Sequence, residues 1–208
     1  MEILIEKIWQ HIVRRIVGQN IIAVDKGLEV LYQLSIIPNY IVGDFDSIST
    51  KILKFYQDKP QVIFYKYNSE KDNTDTDIAL KLAIQLNSSA ITIMGALGKR
   101  MDHALSNIHI LNDALVAKIP CQIVDTYNKI YLVKNKITLY KNRTYGKYIS
   151  LIPLTSIVEG LTLIGFKYPL KEASLSFGKS LGVSNEIVED VAHIQLKEGI
   201  LIVIESRD

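Results

Sequence analysis

The order of apolar segments along this chain constrains its fold more than any other feature. Up to about residue 125, short β-rich apolar runs alternate with helical patterns. The strand candidates are residues 21–24, 40–42, 62–65, 91–94 and 122–124, and the helix candidates are 27–35, 49–57, 75–86 and 102–117. Strand–helix alternation with near-continuous apolar strands predicts a parallel sheet covered by helices on both sides.

The second half of the chain has a different rhythm. From Tyr127 onward the helical period is lost, and short strand candidates are separated by turns rich in Gly, Pro, Asn and Lys. These candidates are residues 130–133, 137–140, 148–152, 161–164, 173–177, 193–196 and 200–205. Such a pattern predicts an antiparallel sandwich or barrel. We therefore expect a tight domain boundary at residues 125–128.

Composition excludes several classes of protein. A net charge of +2 over 208 residues, without a dense Lys/Arg run, argues against a nucleic-acid or membrane partner. The N-terminus does not resemble an export signal, and no apolar run reaches the roughly 20 residues of a membrane span. The single cysteine, Cys121, cannot form an internal disulfide. We expect a cytoplasmic protein.

Carboxylates follow four of the predicted strands of the first half. They are Asp25; Asp44 and Asp46 in VGDFDS; Asp72, Asp75 and Asp77 in KDNTDTD; and Asp102 in GALGKRMDH. In an open parallel sheet such loops emerge at one edge, where ligands bind. Clustered carboxylates repel one another unless a cation or protons neutralise them, and oxygen-only ligands favour a hard ion such as Mg²⁺. Gly98, Lys99 and Arg100 precede a helix and suit phosphate oxygens. Together these features predict a site for magnesium and a nucleoside triphosphate.

Several of these residues also have a purely structural interpretation. Thr74 could cap the following helix, with Asp75 and Asp77 favouring the helix dipole and Asp77 pairing with Lys81. We favour that interpretation for Asp77 and the ligand role for Asp75. Asp102 could be a helix cap and Asp25 a turn residue. His103, with Asn107 one helical turn later, could contact a phosphate or base, or form a structural hydrogen bond.

Longer motifs in the same order are similar to those of the thiamine pyrophosphokinase family. They are IIPNYIVGDFDSI, KDNTDTDIAL and GALGKRMDHALSNIHIL in the first half, and ISLIPLTSIVEGLTLIGFKYPL and GVSNE in the second. The resemblance covers roughly residue 21 to the end. It implies a Rossmann-like α/β domain for ATP and Mg²⁺ (residues 1–126), a β-sandwich domain for thiamine (127–208), and a homodimer.

The resemblance also implies roles for individual residues. Asp44 and Asp46 would hold magnesium and pyrophosphate, and Asp75 would complete that group. Arg100 and Asp102 would lie at the nucleotide and pyrophosphate. Ser184 and Asn185 would lie at the thiamine pocket. The nucleotide-binding set would further include Asp25, Asp72, Thr74, Gly98, His103 and Asn107.

The chain departs from the family pattern in two places: its N-terminal segment, which is helix-like where the family usually has a strand ending in a glycine-containing loop, and the turn that follows residue 24. An acidic-Gly-Gly turn is usual in the family, and Asp25-Lys26-Gly27 stands there in this chain. The only tryptophan, Trp9, lies in the divergent N-terminal segment, so another aromatic must stack on thiamine. The candidates are Phe166, Tyr168 and Phe177, with core packing as the default expectation for each.

Two other functions remain open at this point. Asp44-Phe-Asp46 after a strand resembles the nucleophile loop of haloacid-dehalogenase-like phosphatases, although Ile48 stands where that family has threonine. A non-catalytic protein that binds thiamine or a nucleotide is the other alternative. The three functions differ in their products: AMP with thiamine diphosphate, inorganic phosphate, or none.

Overall fold

The structure is a computed structural model that describes residues 19–46, 48–67 and 73–208. The backbone separates into two compact units, Met1–Ser88 and Ser89–Asp208. Each unit is described by itself.

The first unit contains a three-stranded parallel sheet with helices on both faces. Its elements are β1 (Ile22–Val24), α1 (Gly27–Gln33), β2 (Tyr40–Gly43), α2 (Thr50–Gln57), β3 (Ile63–Lys66) and α3 (Asp75–Gln85). The strands lie in the order β1-β2-β3, with Tyr40 paired to both Ile22 and Ile63.

Strand β2 shows why this sheet is covered on both faces. Its neighbouring residues Ile41 and Val42 are both fully buried, but they belong to different apolar clusters. Ile41 packs in a cluster with Leu28 of α1 and Tyr56 of α2, whereas Val42 clusters with residues of α3. Successive side chains of a strand point to opposite faces, so the helices lie on both sides of the sheet. The predicted arrangement is confirmed for these three strands.

The second unit contains two further sheets. Its elements are β4 (Ile91–Met94), α4 (Met101–His109), α5 (Leu111–Val116), β5 (Cys121–Val124), β6 (Asn128–Val133), β7 (Lys136–Tyr140), a 3₁₀ turn (Lys141–Arg143), β8 (Tyr148–Pro153), β9 (Ile157–Ile164), β10 (Leu170–Ser176), β11 (Asn185–Glu186), β12 (Val191–Gln195) and β13 (Leu201–Ser206). One sheet has the order β11-β8-β13-β6-β5-β4, and the other has the order β10-β9-β12-β7.

The prediction that all five strands of the first half share one sheet is wrong for the described residues. Strands β4 and β5 pair with each other in parallel, and β5 then pairs with β6 in an antiparallel hairpin. Asp125 closes that hairpin by accepting hydrogen bonds from the backbone N–H groups of Tyr127 (2.8 Å) and Asn128 (2.6 Å). The segment between β5 and β6 is therefore a hairpin turn within the six-stranded sheet. The compact units divide at Ser88, while the boundary after residue 126 stays a prediction about functional domains.

Strand β13 lies near the centre of the six-stranded sheet and contributes to two apolar clusters. Val203 belongs to the larger cluster, which contains residues from both sheets of the unit, such as Leu151 and Ile194. The adjacent Ile202 packs on the other face with Leu111 of α5. The chain thus has a mixed α/β architecture, with a parallel sheet and mainly antiparallel sheets. No helix in the described ranges is long and apolar enough to span a membrane.

Most predicted elements are present with shifts of a few residues at their ends. The predicted helix 102–117 forms as two helices, α4 and α5, separated at Ile110. Ile110 keeps a helical φ of −65°, but its ψ of −15° is closer to the tighter 3₁₀ geometry than to that of an α-helix. The two-residue strand β11 was not predicted, because a pair of residues carries no periodicity.

Candidate functional site

The carboxylates after β1 and β2 lie at the same edge of the first sheet, because these strands are parallel neighbours. Asp25 follows β1 with a positive φ of 45° and is half-buried. A Cβ at Gly43, the last residue of β2, would come within 2.6 Å of the Asp25 carboxylate. Glycine at position 43 therefore allows the close approach of the Asp25 side chain to β2.

Asp44 and Asp46 are linked by a tight turn. The Asp46 backbone N–H donates to Asp44 Oδ1 at 3.0 Å, and Phe45 between them has a φ of 67°. The Phe45 ring packs edge-on against Phe64, with ring centres 5.9 Å apart. Asp44 is half-buried and Asp46 is exposed. The turn therefore presents two carboxylates on a backbone that is anchored by an aromatic contact.

The same two carboxylates line a cleft of about 490 Å³ in the first unit. Lys59 and Lys66 also line this cleft. Neither lysine was predicted from the sequence as part of the site. Lys66 is the last residue of β3, so the rule that located the carboxylates at strand ends could have found it. Lys59 lies in the connection before β3, where no sequence pattern distinguishes it from other surface lysines.

The structural roles predicted around the start of α3 are confirmed. Thr74 Oγ1 accepts a hydrogen bond from the Asp77 backbone N–H (3.3 Å), and Lys81 Nζ lies 3.0 Å from Asp77 Oδ2. Lys81 also donates to Asn73 Oδ1 (3.3 Å). Asp77 Oδ1 is buried without a hydrogen-bond partner among the described residues. Asp75 is the first residue of α3 and is half-buried, whereas the predicted site residue Asp72 lies outside the described residues.

The donor set of the Asp44–Asp46 turn fits a hard divalent cation. It offers only oxygen atoms, and Mg²⁺ typically uses one or two protein carboxylates together with substrate phosphates. Among the residues that the structure describes, no group of three or more His, Cys, Asp or Glu side chains could hold a metal ion. The predicted trio of Asp44, Asp46 and Asp75 is thus not assembled here, and its role stays a prediction.

Arg100 and Asp102 form a two-bond ion pair at the start of α4. Arg100 Nε donates to Asp102 Oδ1 at 3.2 Å, and its Nη2 donates to Oδ2 at 2.5 Å. The hydrogen bond from Arg100, followed by one from the His103 backbone, lowers the pKa of Asp102 to about 2. Asp102 is therefore ionised at neutral pH, and a phosphate that binds Arg100 competes with it for the guanidinium.

Asn107 holds the loop that precedes α4. It is one of the few buried polar residues of the described chain, at 6% exposure, and its Nδ2 donates to the Ala96 carbonyl oxygen at 2.9 Å. Its amide therefore supports the loop by a structural hydrogen bond. Gly98 and His103 are both exposed, and a Cβ at Gly98 would meet no atom within 4 Å.

Ser184 and Asn185 have different environments although they are adjacent. Ser184 is exposed with a φ of 59°, and its N–H donates to Ser150 Oγ at 3.0 Å. Asn185 is buried, at 5% exposure. Backbone strain at a polar, exposed residue such as Ser184 is common at ligand-binding sites.

The three candidate aromatic residues are not equally available. Phe166 is 4% exposed and packs in the larger apolar cluster of the second unit, which confirms the expectation of core packing for this residue. Tyr168 and Phe177 are 59% and 75% exposed, so that expectation is wrong for both. Trp9 lies outside the described residues.

Comparison with known proteins gives two consecutive family matches. The model of the thiamin pyrophosphokinase catalytic domain matches residues 15–123, and that of the thiamin pyrophosphokinase vitamin B1 binding domain matches residues 134–201. The two matches, a catalytic domain followed by a vitamin-binding domain, place this protein in the class of two-domain enzymes. The chain belongs to the thiamine pyrophosphokinase family.

Individual relatives agree with this assignment. The thiamine pyrophosphokinase of Bacillus subtilis is 36% identical over 187 residues, which cover 90% of this chain and 87% of that protein. The crystal structure of the Bacillus subtilis enzyme superposes with a TM-score of 0.83. The Geobacillus thermodenitrificans thiamin pyrophosphokinase structure is 34% identical with a TM-score of 0.81, covering 92% of this chain and 87% of that one. The predicted family, and with it an ATP-dependent thiamine diphosphokinase, is confirmed; the two alternatives gain no support.

Proposed function

We propose that this chain transfers the terminal pyrophosphate of ATP to the hydroxyl group of thiamine, giving thiamine diphosphate and AMP. The observation that carries the proposal is the pair of family matches, which occur in order and cover the catalytic and vitamin-binding parts. The half-buried carboxylate of Asp44, the exposed carboxylate of Asp46 and the exposed guanidinium of Arg100 supply the charges that this reaction needs.

The reaction is an in-line attack of the thiamine hydroxyl oxygen on the β-phosphorus of ATP, which breaks the bond to the α-phosphate. Asp44 and Asp46 would hold Mg²⁺ through carboxylate oxygens, and Asp75 would complete that group. When bound, magnesium neutralises the phosphate oxygens and helps align them. Asp46 or Asp75 accepts the proton of the hydroxyl group. Positioning and charge neutralisation then provide most of the rate enhancement.

Other residues bind the nucleotide and the vitamin. The guanidinium N–H groups of Arg100 donate hydrogen bonds to phosphate oxygens. Before substrate binds, Asp102 keeps this guanidinium oriented. Gly98 and His103 contact phosphate or base, and Asn107 supports the loop that contains Gly98 through its bond to Ala96. Ser184 and Asn185 lie at the thiamine pocket. The remaining predicted contacts to the nucleotide come from Asp25, Asp72 and Thr74.

We assign the ATP and Mg²⁺ functions to a Rossmann-like domain of residues 1–126 and the thiamine function to a β-sandwich domain of residues 127–208. We also propose a cytoplasmic homodimer. A solution mass of twice 23.5 kDa by light scattering at micromolar concentration supports the dimer, and a fully active monomer contradicts it.

Product analysis tests the activity directly. Purified protein with ATP, MgCl₂ and thiamine is expected to form AMP and thiamine diphosphate in equal amounts, and EDTA is expected to stop the reaction. ADP with thiamine monophosphate would refute pyrophosphate transfer. Inorganic phosphate without a thiamine product would instead favour the phosphatase.

A further inference from the structure

The second unit contains a cavity of about 460 Å³ at one end of its two sheets. The four-stranded sheet ends at β7, whose Leu139 belongs to the same apolar cluster as Tyr131 of β6. The six-stranded sheet continues past β6 with β5 and β4. Residues of β4, β5, β6 and β7 line the cavity. It therefore lies between the free edge of β7 and the part of the larger sheet that extends beyond it.

The register of β4, β5 and β6 identifies the side chains on the cavity floor. Gln122 pairs with Tyr131, and Thr92 pairs with Gln122. Directly paired residues point to the same face of a sheet, so Thr92 and Gln122 continue the face on which Tyr131 packs. Gln122 Nε2 donates to Thr92 Oγ1 at 3.1 Å. The floor is therefore polar, whereas Ile137 and Leu139 of β7 give the cavity an apolar wall.

The cavity is separate from the groups that we assign to ATP, Mg²⁺ and thiamine. No described residue with such an assignment lines it. Asn185 lies in β11, and three strands separate β11 from β5, which is roughly 19 Å at the usual spacing between strands. The cavity takes its residues from the start of β4, whereas Gly98 and Arg100 follow the end of that strand. Its chemistry is therefore not part of the proposed reaction.

The charged side chains that line the cavity are Lys129, Arg143 and Glu205. Glu205 is 1% exposed and accepts a hydrogen bond from Lys129 Nζ at 3.0 Å. It also accepts hydrogen bonds from the Tyr131 hydroxyl (2.9 Å) and the Tyr145 N–H. The charges of Lys129 and Glu205 therefore cancel. Arg143 forms no ion pair within the described part of the chain, so the lining carries one uncompensated positive charge.

The chain around the cavity is also basic. Residues 126–158 contain no Asp or Glu and six basic residues, although the whole chain has a net charge of only +2: Lys129, Lys134, Lys136, Lys141, Arg143 and Lys147. Such a concentration of charge attracts anions to this part of the surface. The Arg143 guanidinium lies 5.4 Å from the centre of the Tyr140 ring, and both residues line the cavity.

The shape and the charge together select a class of ligand. A guanidinium donates two parallel hydrogen bonds to a carboxylate, and a single negative charge balances the one that Arg143 leaves uncompensated. The apolar wall of β7 suits a small hydrocarbon or aromatic body attached to that carboxylate. Thiamine is a cation, so the charge of this cavity disfavours it.

We propose that this cavity binds a small organic monoanion, with its carboxylate on Arg143 and its apolar body against Ile137 and Leu139. The ligand lies between the edge of β7 and the floor formed by Thr92 and Gln122. Binding requires neither ATP nor thiamine, so this inference does not depend on the proposed function.

Sodium benzoate is the probe, and amide chemical shifts of the ¹⁵N-labelled full chain are the measurement. Benzoate is added up to about 20 mM at constant ionic strength, a range suited to the millimolar affinity of so small a ligand. Saturable shifts are expected at Gln122 and Thr144, which line the cavity, and not at Ser184. Benzamide has the same shape without the charge and is expected to bind at least about ten-fold more weakly. Equal binding of the two compounds, or no saturable shift with benzoate, would overturn the proposal.

Arg143→Gln tests the charged contact. It is expected to raise the dissociation constant of benzoate by about ten-fold or more, because a neutral amide replaces a charge-assisted pair of hydrogen bonds. Lys134→Gln is the matched control, since Lys134 is an exposed residue of the same basic segment and does not line the cavity. Its benzoate affinity is expected to stay within about two-fold of the unsubstituted chain, the small effect of a screened surface charge. Equal weakening in both variants would mean that the basic segment attracts anions without a defined site.

Thr92→Trp and phenyl phosphate complete the test. The indole of Thr92→Trp occupies the cavity above the floor, and benzoate binding is expected to disappear; unchanged affinity would place the ligand elsewhere. Phenyl phosphate carries a second negative charge, and tighter binding than that of benzoate by about ten-fold would contradict the assignment to a monoanion. Thermal melts identify a folding defect in any variant. The comparison of benzoate with benzamide uses the unsubstituted chain and decides the charge requirement independently.

Discussion

At the scale of single residues, carboxylates that look alike in the sequence have different environments. Asp77 is buried and paired with Lys81, whereas Asp102 is exposed and held by Arg100. Asp46 is exposed in a turn, and its backbone N–H donates to Asp44 Oδ1. A substitution at each position therefore tests a different physical quantity.

The variant Asp75→Asn tests whether Asp75 is a ligand or only a helix-capping charge. As a ligand its loss is expected to weaken Mg²⁺ dependence and to slow turnover by about 10²-fold, the usual cost of one electrostatic stabiliser. As a capping charge its loss would remove only about 0.3–1 kcal/mol of dipole interaction. The measurements are initial rates across a magnesium titration, with thermal melts alongside.

Asp77→Asn is the control, because Asp77 lies in the same helical turn and pairs with Lys81. It is expected to change the melting temperature modestly and to leave turnover close to that of the unsubstituted chain. Small and equal losses of turnover in both variants would mean that Asp75 is a cap and not a metal ligand.

At the scale of elements, the loop between β4 and α4 depends on a contact from within the following helix. Asn107 lies 11 residues after Ala96, and its amide ties the helix to the start of the loop. The loop contains Gly98 and ends at Arg100. Its conformation therefore sets the positions of the groups that we propose to bind phosphate. This contact supports binding without touching substrate.

Asn107→Asp is expected to raise the KM for ATP by up to about ten-fold, the equivalent of one lost hydrogen bond. The physical reason is that a carboxylate cannot donate to the Ala96 carbonyl and repels it. Steady-state kinetics with both substrates measure the effect, and the KM for thiamine is expected to stay constant. Asn112→Asp, in the neighbouring helix α5, is the control; an equal rise of the KM for ATP in that variant would contradict the role of Asn107.

At the scale of the whole molecule, stability in the second unit depends on a buried charge that joins distant segments. Glu205 of β13 is 1% exposed and accepts hydrogen bonds from Lys129 Nζ (3.0 Å), the Tyr131 hydroxyl (2.9 Å) and the Tyr145 N–H. Burial raises the pKa of Tyr131, which keeps its hydroxyl protonated as a donor. The donors lie 60 to 76 residues away in sequence.

Glu205→Gln is expected to lower the free energy of unfolding by about 2–3 kcal/mol, because it weakens hydrogen bonds to a buried charge and leaves Lys129 without its counter-charge. Urea denaturation measures the change. Glu172→Gln, in an exposed pair with Lys197, is the matched control and is expected to cost less than about 1 kcal/mol. Equal costs would show that burial does not strengthen the Glu205 interactions.

The sequence by itself determined the elements and the position of the acidic residues relative to them. Apolar periodicity is a local property, so β2, α3 and β13 could be predicted within a few residues of their ends. The same periodicity predicted that carboxylates such as Asp44 lie directly after the ends of strands. The motif order was sufficient to predict the family, because several spaced motifs together are far more specific than any one of them.

Only the tertiary structure decided which strands share a sheet and what each polar side chain does. The hairpin at Asp125 places β5 beside β6, and no local pattern distinguishes that turn from a domain boundary. Asn107 and Asn185 read as ligand contacts in sequence, yet their amides bond to backbone groups 11 and 17 residues away. The exposure of Tyr168 and the burial of Phe166 likewise follow from pairing with residues near 185. Such contacts depend on register between distant segments, which is set by packing and not by the neighbouring residues.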